Sequence, residues 1–250
     1  MHSLCAVIPV YNHKRAIAGV VAGLRDQLVP CILVDDGSDA SCARALQALA
    51  HMPDVTLLTL ACNGGKGGAV LAGLAEARRL GFSHALQVDA DGQHDLSGLA
   101  AFAQTSRLAP QAVVCGHPRY DDSVPLGRKI GRYATHVWVW INTLSLDIRD
   151  SMCGFRIYPL ATALALADTE PVGRRMDFDT EILVRMHWRG VPMAWLPVAV
   201  HYPADGISHF RLWRDNVRIS CMHARLFAGM LRRLPGWAWR KLKRCARGER

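Results

Sequence analysis

Two aspartates separated by one alanine, Asp89 and Asp91, directly follow the apolar run 85–88. Such a run predicts a strand, so both carboxylates are expected at its end, where they can point into one cavity. Hard oxygen ligands at this spacing suit Mg²⁺ or Mn²⁺ bridging two phosphates. A diphosphate leaving group needs that neutralisation as its bond to a sugar breaks. The alternative is that the two acids merely cap the next helix.

A second acidic turn, Asp35 to Ser38, ends another apolar run. A carboxylate in this turn can accept a hydrogen bond from an N–H group of a nucleobase, and Gly37 permits a turn with positive φ. The alternative is an ordinary turn in which Asp39 caps the following helix.

A glycine-rich turn surrounds a single lysine in segment 63–68, which reads NGGKGG. The glycines permit close approach of the backbone, and Lys66 adds one cation, as a phosphate or ribose site requires. The segment is not a P-loop, because Gly67 stands where serine or threonine should follow the lysine.

The elements that must position these turns repeat one pattern of apolar run, polar turn and helical periodicity. The apolar runs are 4–10, 30–34, 55–60, 85–88 and 112–115, and the helical segments are 14–26, 39–50, 66–80 and 96–107. This alternation predicts an α/β fold with a mostly parallel sheet flanked by helices. Ligands bind such sheets beyond the carboxyl ends of the strands, where the polar turns stand.

The pattern changes after about residue 117, and an acceptor site would be added there. A long amphipathic segment (125–146), a Cys-Gly-Phe-Arg turn, a helix near 179–189 and an apolar strand (192–200) follow in order. We interpret residues 1–205 as one domain, with a nucleotide-sugar-binding half (1–117) and an acceptor half (118–205), and residues 206–250 as a helical appendage.

The C-terminal segment is basic and amphipathic. Residues 211–250 contain twelve arginines and lysines against two acids, whereas the first 210 residues are nearly neutral. Apolar residues recur at helical spacing from Trp213 to Leu234, and Pro235 with Gly236 is expected to end this helix.

Composition limits the class of protein. The 250-residue chain is half apolar, which predicts a folded globular protein. Its eight cysteines include no CxxC pair, so we expect a reducing compartment without disulfides or a zinc site. The N-terminus lacks a signal-peptide pattern, and the apolar stretch 133–146 is too short to span a bilayer. These features favour a cytoplasmic protein.

Six motifs in order carry a family resemblance: VIPVYN, VDDGS, NGGKGGAVLAG, DADGQHD, DSMCGFR and DFDTEIL. Together they resemble the family-2 glycosyltransferases, specifically the branch of dolichyl- or polyprenyl-phosphate sugar synthases, over about residues 4–200. The resemblance implies a GT-A fold, a divalent Mg²⁺ or Mn²⁺ and a nucleotide-diphosphate sugar donor. It also implies inversion at the anomeric carbon of the sugar.

The resemblance further assigns roles to individual residues. The donor nucleotide is expected near Pro9, Tyr11, Asn12, Asp36, Asn63 and Lys66. Asp89 would lie toward the ribose and the metal, Asp91 would ligate the metal, and Gln93 would be a further ligand. Asp179 is expected at the acceptor, with Glu181 two residues on. The alternative for these last two acids is a solvated first turn of a helix.

The chemistry of the acceptor decides what Asp179 does. An alcohol must lose a proton, so Asp179 would be a general base. A lipid phosphate is already an anion and needs cations, for which the candidates are Arg119, Arg128, Arg132 and Arg156. The lipid-phosphate branch carries a basic RxxGxSK motif after the last strand, but here Pro203, Gly206, Ser208 and His209 occupy its positions. We therefore rank a lipid-linked or glycan hydroxyl acceptor in envelope glycoconjugate synthesis ahead of polyprenyl phosphate. His201 and His209 are more simply read as packed or surface residues than as metal or diphosphate contacts.

The tryptophan- and arginine-rich end, residues 237–247, favours contact with anionic lipid headgroups. This predicts a peripheral protein on the cytoplasmic face of the inner membrane. The alternative is a helix packed on the core with a solvated arginine face. No motif for nucleic acid is present. Two other classes remain: a nucleotidyltransferase, which would need a basic glycine-rich loop after the first strand, and a non-catalytic membrane-surface module.

Overall fold

One seven-stranded sheet organises the described part of the chain. The computed structural model describes residues 2–120, 126–200 and 211–246, with side chains described for 2–119, 131–200 and 211–235. The strands are β1 (Leu4–Val10), β2 (Cys31–Asp35), β3 (Val55–Thr59), β4 (His84–Gln87), β5 (Val113–Tyr120), β6 (Arg156–Pro159) and β7 (Met193–Val200). Their order across the sheet is β3-β2-β1-β4-β6-β5-β7.

Eight α-helices lie between or after these strands within the described residues. They are α1 (Ile17–Arg25), α2 (Ala40–Leu49), α3 (Lys66–Arg79), α4 (Leu99–Leu108), α5 (Leu126–Thr143), α6 (Leu160–Thr169), α7 (Phe178–Trp188) and α8 (Leu212–Ala246). All pairings in the sheet are parallel except those of β6, which runs antiparallel to both β4 and β5. The prediction of a mostly parallel sheet flanked by helices is confirmed.

The two faces of the sheet are covered by different helices, because successive side chains of a strand point to opposite faces. Along β1, Cys5 and Val7 join the core beneath α3, α6 and α7, whereas Ala6 and Ile8 join the core beneath α1, α2 and α4. Both faces are therefore dry, and the polar turns at the carboxyl edge of the sheet stay open to ligands.

Helix α3 lies unusually close to the sheet at Gly73. A Cβ atom there would lie 2.3 Å from Val7 Cγ1 and 2.9 Å from Val34 Cγ2, so only glycine fits. This close packing holds α3 against β1 and β2, and Lys66 is the first residue of that helix.

The segment 156–169 was not predicted as a strand and a helix. Residue Pro159 ends β6 and is also the N-cap of α6. Because no polar turn separates the two elements, the sequence offers no boundary signal between them.

Helix α8 extends past the predicted end, so the expectation that Pro235 and Gly236 terminate it is wrong. The helix runs to Ala246 with Pro235 inside. An interior proline removes one backbone hydrogen bond but does not by itself force a stop. One side of α8 packs through Met222, Leu226 and Met230, which are buried.

None of the helices in the described ranges is both long and apolar enough to cross a bilayer. The positions compared above with the basic motif, from Pro203 to His209, lie outside the described residues, as do His201 and the side chain of Arg128.

Candidate active site

Lys66 bridges two carboxylates at the carboxyl edge of the sheet. Its Nζ atom lies 2.7 Å from Asp89 Oδ1 and 2.9 Å from Asp179 Oδ2. Burial alone would lower the pKa of Lys66, but Asp179 and Asp89 together raise it above the ordinary lysine value. Burial would likewise raise the pKa of Asp89, but Lys66 lowers it. Asp89 is therefore held ionised, and Asp179 pairs with the same lysine.

The two acids of α7 are not a solvated helical turn, so that alternative is wrong. Asp179 is 6% exposed and Glu181 is fully buried. The start of α7 faces the site because its apolar neighbours, Phe178 and Ile182, belong to the core. Gln87 Nε2 donates to Asp179 Oδ1 at 2.8 Å, which fixes this carboxylate from below.

Asp89 is paired with Lys66, but Asp91 has no cation bound to it among the described side chains. Its Oδ1 atom accepts a hydrogen bond from the backbone N–H of Gln93 at 3.0 Å. Burial and the neighbouring charge of Asp89 raise the pKa of Asp91. A second negative charge here is costly until a cation arrives, which is the electrostatic condition for metal binding.

The floor of this acidic site is shaped by Gly154. A Cβ atom at that position would lie 2.7 Å from Asp89 Oδ2. Among the described residues, no group of three or more His, Cys, Asp or Glu side chains is arranged to hold a metal ion. The carboxylates of Asp89 and Asp91 fit a hard divalent cation whose remaining ligands come from outside the protein, such as diphosphate oxygens.

Asp36 clasps the glycine-rich turn. Its Oδ1 atom accepts from Gly64 N at 2.6 Å and its Oδ2 atom accepts from Gly65 N at 2.9 Å. The amide of Asn63 donates to the backbone oxygen of Asp36 at 2.9 Å. Asp36 therefore holds the turn that carries Lys66, whereas its expected contact with a nucleobase stays a prediction.

The turn after β1 is tied to the turn after β2. Asn12 has a φ of 59°, and its Oδ1 atom accepts from Asp39 N at 2.7 Å. Asp39 in turn caps α2 by accepting from Cys42 N at 2.8 Å, as the ordinary-turn alternative predicted. Pro9 and Tyr11 are partly exposed on the same edge, so the predicted nucleotide-side residues converge there.

Residues 173–178 lie over the glycine-rich turn, and we call this segment the cover. Sequence analysis did not predict it. The backbone oxygen of Arg174 accepts from Gly68 N at 2.8 Å, and Arg175 Nη1 donates to Asn63 Oδ1 at 3.2 Å. A Cβ atom at Gly67 would lie 2.4 Å from Phe178 Cβ. The density of glycines indicated that something approaches closely, but not which segment.

The arginines expected to hold an anionic acceptor lie in different environments. Arg119 is exposed at the carboxyl end of β5. Arg132 makes two hydrogen bonds of 2.6 Å to the buried carboxylate of Asp150. Arg156 is fully buried, so the expectation that it contacts a bound phosphate is corrected.

Glu181 also differs from its expected place at the acceptor. Its Oε1 atom lies 2.6 Å from Arg185 Nη2, and its Oε2 atom accepts from Gly173 N at 2.8 Å. Arg225 of α8 approaches the same carboxylate to 3.2 Å. This acid is thus occupied in holding the cover and α8, and direct contact with an acceptor is corrected to a structural role.

The fold and the acidic edge define a class of protein. The model of the glycosyl transferase family 2 matches residues 5–164, more than half of the chain. The chain therefore belongs to the family-2 glycosyltransferases, and the sequence prediction of that family is confirmed.

Two relatives of known name are similar to this chain in sequence. The chain is 31% identical over 208 residues to a dolichyl-phosphate beta-glucosyltransferase of Dictyostelium discoideum, covering 75% of this chain and 61% of that protein. It is 25% identical to a UDP-N-acetylglucosamine–dolichyl-phosphate N-acetylglucosaminyltransferase of Methanococcus voltae, covering 78% and 84%. The chain thus spans less than two thirds of the first relative's length.

A solved structure confirms the GT-A fold. Glucosyl-3-phosphoglycerate synthase from Mycobacterium tuberculosis, in complex with Mn²⁺, UDP-glucose and phosphoglyceric acid, matches with a TM-score of 0.68. The identity is 15%, with 92% of this chain and 79% of the other chain covered. At this identity the likeness concerns the fold.

Proposed function

We propose that this chain is an inverting, metal-dependent glycosyltransferase that moves a sugar from a nucleotide-diphosphate sugar to a polyprenyl phosphate. The observation that carries the proposal is Lys66 fixed between Asp89 and Asp179 at the carboxyl edge of the sheet. Parallel sheets bind their ligands at this edge. Lys66 together with Asp89, Asp91 and Asp179 suits a substrate that is itself anionic and arrives with a metal ion.

The donor would lie along the turns after β1 and β2. Pro9, Tyr11, Asn12 and Asp36 would hold the nucleoside, and the turn fixed by Asp36 would bring backbone N–H groups and Lys66 to the phosphates. Mg²⁺ or Mn²⁺ held by Asp89 and Asp91, with Gln93 as a further ligand, would neutralise charge on the departing diphosphate. The named relative that binds Mn²⁺ and UDP-glucose supports this arrangement.

The acceptor would approach from the side of Asp179. Relatives named as dolichyl-phosphate and undecaprenyl-phosphate sugar transferases support a lipid phosphate. Such an anion needs no base, which suits an Asp179 already engaged by Lys66 and Gln87. Arg119, exposed at the end of β5, is the candidate cation for the acceptor.

A hydroxyl acceptor is the second candidate, and one observation favours it. In the segment after β7, Pro203 and His209 stand at the two positions where the expected basic motif has its arginine and its lysine. With an alcohol acceptor, Asp179 would leave Lys66 and take the proton.

Membrane contact would be made by the outer face of α8 together with α5. Trp213 is 81% exposed, Val217 46% and Leu231 48%, although all three are apolar. Trp138 of α5 contacts Phe227 of α8 with ring centroids 6.4 Å apart, so the exposed apolar residues of the two helices are contiguous. The arginines at 214, 218, 232 and 233 on the same helix favour an anionic lipid surface. Such a surface would give the protein a peripheral place on the cytoplasmic face of the inner membrane.

The test compares two acceptors that differ by one group. Purified protein is incubated with UDP- and GDP-sugars, Mn²⁺ or Mg²⁺, and either a polyprenyl phosphate or the matching polyprenol. We expect glycosylated lipid from the phosphate alone. Product from the polyprenol would establish the hydroxyl candidate, and no product from either would contradict the proposed activity.

The metal assignment is tested in the same assay. Asp91→Asn should abolish metal-dependent turnover without unfolding the protein, because the amide cannot neutralise the cation. The matched control is Asp26→Asn, the same change at an exposed acid that follows α1. Equal activity of Asp91→Asn and the control would refute the assignment of Asp91.

A further inference from the structure

Arg156 presents a problem of charge. Its side chain is fully buried, yet no carboxylate oxygen pairs with its guanidinium among the described residues. Nη1 donates to the backbone oxygen of Asp179 at 2.6 Å and Nη2 donates to the backbone oxygen of Ser151 at 2.7 Å. A buried charge without an ionic partner is costly. A nearby negative charge must offset this cost, and Asp179 and Asp89 are the carboxylates whose charges interact with Arg156.

A hydrogen-bond chain leads from Arg156 to one of those acids. Arg156 Nη1 donates to Tyr158 Oη at 3.3 Å, Tyr158 Oη donates to Gln87 Oε1 at 3.3 Å, and Gln87 Nε2 donates to Asp179 Oδ1 at 2.8 Å. Arg156, Tyr158 and Gln87 are all fully buried. The antiparallel register of β4 and β6 places Gln87 directly opposite Arg156. The chain is therefore built on two paired strands under the site.

The direction of these bonds has a chemical meaning. Each group donates to the next, and the last acceptor is a carboxylate oxygen. A guanidinium cannot accept, so the chain has one direction when it starts at Arg156. Asp179 is consequently held at two points, its carboxylate by Gln87 and its backbone carbonyl by Arg156. Its other carboxylate oxygen is left facing Lys66.

We propose that Arg156, Tyr158 and Gln87 are positioning residues that hold the carboxylate of Asp179 against Lys66. This inference rests on the proposed function where it concerns catalysis. Arg156 also supplies the buried positive charge that lets Asp89, Asp91 and Asp179 share one site with a single lysine. All three positioning residues are fully buried. Their effect on the reaction passes through the geometry of Asp179.

The main test is a set of substitutions at Gln87. Gln87→Met keeps the length of the side chain but removes the donor to Asp179. We expect kcat to fall roughly tenfold with the donor KM unchanged, since a hydrogen bond to a charged group is lost at the acceptor side. In an Asp179→Asn background, Gln87→Met should lower kcat no further. A second full tenfold loss in that background would overturn the proposal, because the two residues would then act independently.

Tyr158→Phe and Arg156→Lys test the rest of the chain. Tyr158→Phe should lower kcat by a smaller factor, about threefold, and the double variant with Gln87→Met should be no worse than Gln87→Met alone. Arg156→Lys keeps the charge but cannot span two carbonyl oxygens and Tyr158. We therefore expect it to resemble Gln87→Met in kcat while remaining folded, and wild-type kcat would contradict a positioning role.

A readout without turnover separates this inference from the proposed function. Lys66 is acetylated with a small amine-reactive acetyl donor, and the rate is followed by peptide mass spectrometry. This rate reports how firmly the amine of Lys66 is held. Gln87→Met should raise this rate several-fold, toward that of Asp179→Asn, while labelling of exposed Lys14 stays unchanged. Unchanged labelling of Lys66 would overturn the positioning role. If the wild-type protein transferred no sugar, the labelling result would still stand, and the proposed function alone would fail.

Discussion

The carboxyl edge of the sheet and helix α8 depart from ordinary burial in opposite directions. At the edge, the charged groups of Lys66 and Asp179 lie inside, with side-chain exposures of 18% and 8%. On α8, Trp213 lies outside with 81% exposure. Charged groups normally stay in water, and large apolar groups normally avoid it. Each region therefore needs a partner, which is ionic at the edge and apolar on α8.

The largest expected effect that would test this contrast comes from Lys66→Met. Asp89 and Asp179 would then face each other without a cation, and the donor phosphates would lose their lysine. We expect turnover to fall at least about 100-fold, with a lower melting temperature that Mn²⁺ partly restores. Lys14→Met, the same change at an exposed lysine that donates to Ser41, is the control and should leave both values unchanged. A twofold effect at Lys66 would contradict an ionic edge.

Low pH should destabilise the packing of α8 against α5. His223 of α8 lies 3.2 Å from the side chain of Asn142 in α5, and burial lowers the pKa of His223 to about 4. The unfolded chain binds this proton near pH 6.5 and the folded protein does not. The contribution of neutral His223 to stability is therefore fully present above pH 6.5 and is lost as the pH drops from 6.5 toward 4. About 2 kcal/mol of it is lost by pH 5.

Urea unfolding at pH 7.5 and pH 5 measures this loss. His223→Gln removes the titrating group, so its free energy of unfolding should change less between the two pH values than that of the wild-type protein. Equal changes in both proteins would show that His223 does not respond to acid.

A smaller effect is expected from the cover over the glycine-rich turn. In Gly67→Ala the new methyl group would meet Phe178 Cβ and the backbone oxygen of Gly173, which would lie 2.8 Å away. Overpacking against backbone should cost about 1 to 2 kcal/mol and weaken donor binding. Gly19→Ala, in α1 with open space around it, is the control and should stabilise the protein slightly. Thermal unfolding with and without nucleotide measures both, and equal behaviour of the two variants would remove the cover from the donor site.

The smallest effect concerns the exposed face of α8. Trp213→Ser should reduce sedimentation with anionic vesicles a few-fold, because one large apolar group is lost from the interface, and should leave the melting temperature unchanged. Leu108→Ser, at a residue that is 79% exposed but distant in sequence from α8, serves as the matched control. If both variants bind vesicles like the wild-type protein, α8 is not a membrane-contacting helix.

The sequence sufficed for elements that are bounded by their own turns. The run 4–10 is observed as β1 with the same bounds, and the run 55–60 differs from β3 by one residue. The acids after β4 were found because the strand and its polar turn adjoin in sequence. Strands and turns that adjoin in this way can be predicted from the sequence alone.

What could not be predicted depends on contacts between distant segments. Arg156 reads as a surface cation in a turn, but the pairing of β6 between β4 and β5 buries it. Glu181 reads as an acid at a helix start, but Arg225 meets it from 44 residues away. The apolar spacing on α8 was legible, but which side packs on the core depends on α5 and α7, and spacing alone does not show it.

The contact between Arg225 and Glu181 has a consequence for protein engineering. Glu181 also accepts from Gly173, beside the segment that covers the glycine-rich turn. A shortened expression clone that stops at residue 205 would remove Arg225 together with Met222 and Leu226, and would expose an acid that has no access to water at present. Any effort to obtain a smaller, more tractable enzyme should therefore place its stop codon beyond Met230.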